Sequence, residues 1–159
     1  MIRFIAAIDE KRGIADDNNI PWLGKLPSDT EYYRDKIKTG KILMGYGTYQ
    51  VISKPYHERI NYVATNNSEI LNEGFEAVKD ARAFIQNTDE DVWVLGGAGL
   101  FASTIDLADE LYLTQVEGDF NCTKFFPKFE QDFELISKTK SLTENGIKFR
   151  FEVWKRKLS

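Results

Sequence analysis

The chain of 159 residues contains one cysteine and one histidine. Cys122 has no intramolecular disulfide partner, and with only His57 beside it there are too few ligands for a zinc site, so both are read as structural or surface residues and no metal is expected. Basic charge is scarce as well. The 21 Lys and Arg against 25 Asp and Glu leave a net charge of −4, which argues against a nucleic-acid or anionic-membrane binder and favours small-molecule partners. There is no long hydrophobic run. The opening Met1 to Ile8 stretch is apolar but far too short to span a bilayer and lacks a signal peptide's layout, so a soluble, reducing, cytoplasmic setting is expected. Repeats, low-complexity tracts and linker-like composition shifts are also absent. That leaves one domain over residues 1–159, whose hydrophobic content of 42% supplies a core without disulfides or metal.

What the chain does have is short apolar runs: Ile2 to Ile8, Ile42 to Gly45, Ile60 to Thr65, Val92 to Leu95, and Leu111 to Val116, with helical stretches between them. Near-continuous apolar strands alternating with helices suit a sheet buried on both faces, which predicts an α/β fold with a mostly parallel sheet. Near the end the pattern changes. Ile147, Phe149, Phe151 and Val153 alternate with charged residues behind an Asn145-Gly146 turn, which predicts an antiparallel hairpin of Phe133 to about Leu142 with Ile147 to Lys155. Residues Asp9 to Lys25 form a long connection anchored by Ile14, Ile20 and Trp22, a length that in a compact domain usually marks a functional lid.

Pro27 fits the first helical position, where its missing N–H has no intrahelical partner, and predicts a helix from there to Lys38. Leu26, Asp29, Tyr33 and Ile37 then share one side, so Asp29 sits on the apolar face. One reading is a carboxylate stabilised by the helix dipole. The other is a buried acid that binds the polar edge of a ligand, with burial and ligand pulling its ionisation in opposite directions.

Two glycine turns suggest phosphate binding. The strand Asp91 to Leu95 runs into Gly96-Gly97-Ala98-Gly99-Leu100-Phe101, and the strand Lys41 to Gly45 runs into Tyr46-Gly47-Thr48. Glycines at a strand-to-helix turn let backbone N–H groups approach a pyrophosphate. The Gly-x-Gly-x-x-Ala match from Gly97 to Ala102 is a misleading Rossmann fingerprint, because fewer than 65 residues and a hairpin follow it. In open α/β sheets ligands sit at the carboxyl ends of the strands, so both turns should open onto one edge, with Asp29 and the long loop facing it.

Ile5-Ala6-Ala7, Pro21-Trp22, Leu26-Pro27-Ser28-Asp29, Met44-Gly45-x-x-Thr48-Tyr49, Gly96-Gly97-Ala98 and Tyr112-Leu113-Thr114 together resemble the dihydrofolate reductase family, in order and over the whole chain. The resemblance implies a central sheet of about eight strands flanked by about four helices. It also implies hydride transfer from NADPH to dihydrofolate with protonation at N5. Asp29 matches the acid that accepts paired hydrogen bonds from the pterin 2-amino group and N3, Trp22 the tryptophan that orders the pocket water, and Thr114 the threonine that bonds the acid. Ile5, Ala6, Tyr33 and Ile52 match substrate-packing positions, and Arg59 the arginine that pairs with the α-carboxylate of the glutamate tail. Ala7, Ile14, Ile20, Gly45, Tyr46, Gly47, Thr48, Thr65, Asn66, Gly96, Gly97, Ala98, Gly99, Leu100 and Phe101 fall at cofactor positions. Taken alone, a Trp beside proline is often a loop anchor, and a strand Thr is most often there for its shape.

Three departures from the family pattern stand out. Tyr46 and Gly99 occupy places where a basic residue is frequent, which leaves Thr65, Asn66, Asn67 and Ser68 to hold a 2′-phosphate by neutral hydrogen bonds; NADH is therefore expected to be accepted alongside NADPH. Leu23-Gly24-Lys25 lengthens the bridge from Trp22 to Leu26, and Ala15 replaces a frequent glycine. The expected partners are dihydrofolate and folate analogues bound by a monomer. Two alternatives stay open: a riboflavin-pathway reductase of the same architecture, acting on a ribosylaminopyrimidine, and a non-catalytic nucleotide-binding module.

Overall fold

The computed structural model describes residues 1–52, 54–66 and 71–158. The helices are α1 (Pro27–Lys36), α2 (Tyr46–Val51), α3 (Ala81–Asn87) and α4 (Ala98–Thr104). The strands are β1 (Ile2–Ile8), β2 (Gly13–Ala15), β3 (Lys41–Gly45), β4 (Asn61–Ala64), β5 (Phe75–Val78), β6 (Val92–Val94), β7 (Glu110–Val116), β8 (Lys124–Phe125), β9 (Phe133–Lys138), β10 (Leu142–Glu144) and β11 (Ile147–Arg156). Nine of these strands form one sheet in the order β10-β11-β7-β1-β6-β3-β4-β5, with β9 also paired to β11. The pairings from β7 through β5 are parallel, and those of β11 with β7, β9 and β10 are antiparallel.

Side-chain alternation assigns each face of this sheet to a pair of helices. Phe4 and Ile8 of β1, Leu43 of β3 and Val94 of β6 pack with Ile85 of α3 and Phe101 of α4. The opposite face, with Ile5, Ile42, Met44, Val63 and Trp93, packs with Ile37 at the end of α1 and Tyr49 of α2. With both faces covered, the central strands have to be apolar at successive positions, as the short runs in the sequence are.

Local differences from the sequence reading have physical causes. Helix α1 starts at Pro27 as expected but ends at Lys36, where the Arg59 guanidinium takes the backbone carbonyls that further helical turns would have used. The long connection is not all loop, since β2 pairs with β8. The first arm of the terminal hairpin is split into β9 and β10, and the register on β11 shifts between Val153 and Trp154. Short β5 and β8 lack the apolar runs that mark the other strands.

Candidate active site

Parallel pairing brings the carboxyl ends of β1, β3, β4, β5 and β6 to one edge, and β7 ends there too, with Thr114 opposite Ala7. At this edge the two glycine turns touch: the Gly45 N–H donates to the Gly96 carbonyl at 2.7 Å. A Cβ on Gly45 would lie 3.4 Å from that same oxygen. Helices α2 and α4 start directly from the turns, capped by Gly45 and Gly97 with no side chain on their first N–H groups. The first intrahelical bond of α4 is made by Phe101 to Gly97, which leaves the N–H groups of Ala98, Gly99 and Leu100 without helical acceptors. A Cβ on Gly47 or Gly99 would meet nothing, and one on Gly97 only the Thr48 hydroxyl at 3.9 Å. The result is an open cradle of backbone donors that suits the pyrophosphate of a dinucleotide.

Phe101 lies beneath this cradle. It is 1% exposed, packed on Phe4 and Phe126, and its ring edge would be 2.9 Å from a Cβ on Gly96. It supports the turn from the core and shows almost no surface to a ligand. Leu100 is partly buried against the same core, and Tyr46 leans on Tyr49 with ring centroids 5.6 Å apart. Thr65 follows β4 and donates its N–H to Val78, with exposed Asn66 beside it; Asn67 and Ser68 lie outside the described residues.

Asp29 stands in the first turn of α1. Thr114, 3% exposed on β7, donates its hydroxyl to Asp29 Oδ1 at 2.6 Å. Burial pushes the Asp29 carboxyl above the ordinary range and the Glu144 charge adds to the rise, while the Thr114 hydrogen bond opposes it. Trp22 is buried with Leu26, Val116 and Phe149, its ring edge-on to Phe120 at 5.3 Å. Ala7 packs against that cluster, Ile5 and Ile52 belong to the α1 and α2 side of the core, and Ala6 and Ile14 to the other side. Ile20 is exposed, 36% accessible.

Tyr33, one turn after Asp29, hydrogen-bonds Tyr56 through its hydroxyl, with ring centroids 5.8 Å apart, and burial holds its ionisation far above the usual phenol range. Arg59 is engaged within the protein: its guanidinium donates to the carbonyls of Ile37 (2.7 Å), Lys38 (3.2 Å) and Gly40 (2.6 Å). His57 Nε2 donates to the Arg34 carbonyl at 2.7 Å, so the single histidine secures the 56–59 segment against α1. Among the described residues no cluster of His, Cys, Asp and Glu could hold a metal ion, and no helix is long and apolar enough to cross a membrane.

The dihydrofolate reductase family model matches residues 1–156. The chain belongs to that family. It is 32% identical to the dihydrofolate reductase of Bacillus subtilis (strain 168), over all of this chain and 96% of that protein. It is 33% identical to that of Staphylococcus aureus (strain Mu50), over 86% of this chain and 84% of its relative. On this dihydrofolate reductase fold, three residues that the sequence reading passed over lie beside candidate positions. Tyr56 partners Tyr33. Lys79 follows β5 next to Thr65, an exposed cation at the carboxyl edge that recognition of β5 would have located. Glu144 reaches the start of α1 from the hairpin, a docking that no local sequence pattern announces.

Proposed function

We propose that this chain reduces 7,8-dihydrofolate to 5,6,7,8-tetrahydrofolate, with Asp29 as the acid that binds and polarises the pterin. Family membership supports the oxidoreductase class. The observation that carries the finer reading is the Thr114 to Asp29 hydrogen bond at 2.6 Å, made by a buried threonine to a carboxyl that burial pushes toward its neutral form. A carboxylate held this way offers two oxygens to the paired donors of the pterin 2-amino group and N3, a charge-assisted bidentate fit. Such a ligand edge restores the stability of the ionised form that burial has removed, so binding and ionisation of Asp29 favour each other.

NADPH, when bound, supplies the hydride delivered to C6. Tyr46, Gly47 and Thr48 on one turn, and Gly97, Ala98 and Gly99 on the other, would hold its pyrophosphate by backbone N–H groups, with Gly45 and Gly96 fixing the two turns against each other, while Ala7, Ile14 and Ile20 would close on its nicotinamide. Thr65 and Asn66 would offer the 2′-phosphate neutral hydrogen bonds. With Tyr46 and Gly99 in place of basic residues, discrimination against NADH is reduced. Asp29 keeps negative charge close to the pterin and so favours the proton at N5, which arrives through water beside Trp22, because N5 is out of direct reach of the carboxylate. Orientation and fixed electrostatics carry the rate, with no covalent step. Arg59, ordered on the end of α1, presents its remaining donor capacity to the glutamate tail. The site is complete within one chain, consistent with a monomer, and we place the enzyme in the cytoplasm.

Loss of NADPH absorbance in the presence of dihydrofolate tests this reading, with Asp29→Asn as the control. Turnover by the wild-type protein and its loss in the Asn variant near neutral pH are expected. No turnover, or full activity in the variant, would overturn it.

A further inference from the structure

Helix α1 does not cap itself. Its N-cap is Leu26, which has no side-chain acceptor, and Pro27 has no N–H to satisfy. The first N–H with an intrahelical partner belongs to Thr30, bonded to Leu26, so Ser28 and Asp29 begin the helix with free donors. The acceptor that the sequence withholds locally comes from 116 residues away: Glu144 Oε1 takes the Ser28 N–H at 3.0 Å, and Glu144 Oε2 takes the Ser28 hydroxyl at 2.6 Å. Asn145, next in the hairpin turn, donates its side-chain amide to the Lys25 carbonyl at 2.6 Å. The same hairpin grips the helix further along, where Phe151 stacks on Tyr32 with ring centroids 4.0 Å apart and planes at 13°. Phe151 is in turn the β11 residue opposite Thr114 on β7. The hairpin thus holds both members of the Asp29–Thr114 pair: the helix that carries the acid and the strand that carries its donor.

From this geometry we infer that Glu144 is a positioning residue for Asp29: it clamps the first turn of α1 so that the acid meets Thr114, and it places a fixed negative charge beside the pterin-binding carboxyl. This rests on the proposed role of Asp29. The two functions of Glu144 are separable, because the clamp needs only acceptor oxygens whereas the electrostatic effect needs the charge. The groups that face Asp29 are few. Tyr32 and Tyr33 on its own helix are neutral through the working pH range, with Tyr32 pushed up to about 12 by burial, and Thr114 on β7 is uncharged. Glu144 on β10 is the remaining charge acting on Asp29 and the one that opposes its ionisation.

The test is Glu144→Gln, which keeps an acceptor oxygen for Ser28 and removes the charge, compared with Glu144→Ala, which removes both. The Asp29 carboxyl is followed by carbon-13 NMR on protein labelled at aspartate, its resonance assigned by loss in Asp29→Asn. This readout needs no catalysis, so it stays informative if the proposed reaction is wrong. The expected result for Glu144→Gln is an Asp29 midpoint lower than wild type, with the acid limb of kcat/KM for dihydrofolate moving the same way and thermal stability nearly unchanged. Glu144→Ala should in addition lower the melting temperature and raise KM, because Ser28 loses its acceptor. If Glu144→Gln titrates Asp29 at the wild-type midpoint, or Glu144→Ala leaves both melting temperature and KM unchanged, the positioning role is overturned. A normal midpoint shift in a protein without dihydrofolate turnover would instead count against the reaction and leave the electrostatic role standing.

Discussion

Replacing Thr114 by valine isolates the interaction on which the site depends. Valine keeps the branched shape that strand β7 needs and removes one oxygen, so the tight packing around this 3% exposed position is disturbed little. What is lost is a 2.6 Å hydrogen bond from a neutral donor to a carboxylate that is otherwise pushed toward protonation by burial and by Glu144. A hydrogen bond to a charged group contributes about 1.5–3 kcal/mol. If that stabilisation is needed in the transition state, kcat/KM at neutral pH should fall by a factor of about 10 to 150. The loss should also depend on pH. The Thr114 hydroxyl favours the ionised form of Asp29 in the ligand-free protein, so its removal moves the acid limb of kcat/KM to higher pH. The assay is NADPH oxidation with dihydrofolate across the pH range, with Thr114→Ser as the rescue because it restores the hydroxyl. A Val variant within twofold of wild type, or one whose loss is the same at every pH, would refute the reasoning.

Further expectations concern stability as well as rate. Because the Asp29 midpoint is raised in the folded protein, folding binds its proton, and the resulting stability is present below the ordinary Asp range and lost as pH rises through the folded midpoint. Asp29→Asn should therefore melt at a higher temperature than wild type near pH 7, with the difference closing below about pH 4 by thermal melts in matched buffers; equal melting temperatures at neutral pH would contradict the burial account. Gly96→Ala combines a φ of +102° with a Cβ placed 2.9 Å from the buried Phe101 ring, so a loss of about 2–4 kcal/mol and a raised KM for NADPH are expected from denaturant titration and steady-state kinetics. Arg59→Ala should raise KM for dihydrofolate with that for NADPH nearly unchanged, and should lower stability by about 2 kcal/mol because the carbonyls of Ile37, Lys38 and Gly40 lose a charged donor. Equal changes in the two KM values would count against its role at the folate tail.

The sheet was readable because burial on both faces writes itself into the sequence. Strands β1, β3, β4, β6 and β7 coincide with the apolar runs to within a residue or so, since each is sandwiched between α1 and α2 on one side and α3 and α4 on the other. Strand β5 has no such signature, because it lies at the edge of the sheet, paired on one side only, with Glu76 exposed. With β5 unread, the exposed Lys79 that follows it was passed over as well. Helix starts were legible through Pro27 and through the two glycine turns. Helix ends were less so, because the end of α1 depends on Arg59, more than twenty residues further on.

The site itself was legible in its composition but not in its electrostatics. Pro27 and the apolar face placed Asp29 toward the protein, whereas Thr114 was tied to it only through the family resemblance, because their contact spans 85 residues and exists only once β7 and α1 are docked. What docks them is the terminal hairpin. Its Asn145-Gly146 turn, with both residues at positive φ, was plain from the sequence, whereas its use was not. A turn motif specifies how two strands reverse and says nothing about the surface against which the tip comes to rest. Here the tip rests on the uncapped start of α1, and that missing cap is visible in the sequence: Leu26-Pro27 offers no side-chain acceptor where a helix needs one. A helix start without a local acceptor leaves its N–H groups to water or to a distant group, and here Glu144 takes the one on Ser28. The missing cap at Leu26 thus left an N–H free at the one turn that carries Asp29, and the hairpin tip comes to rest where Glu144 can take it.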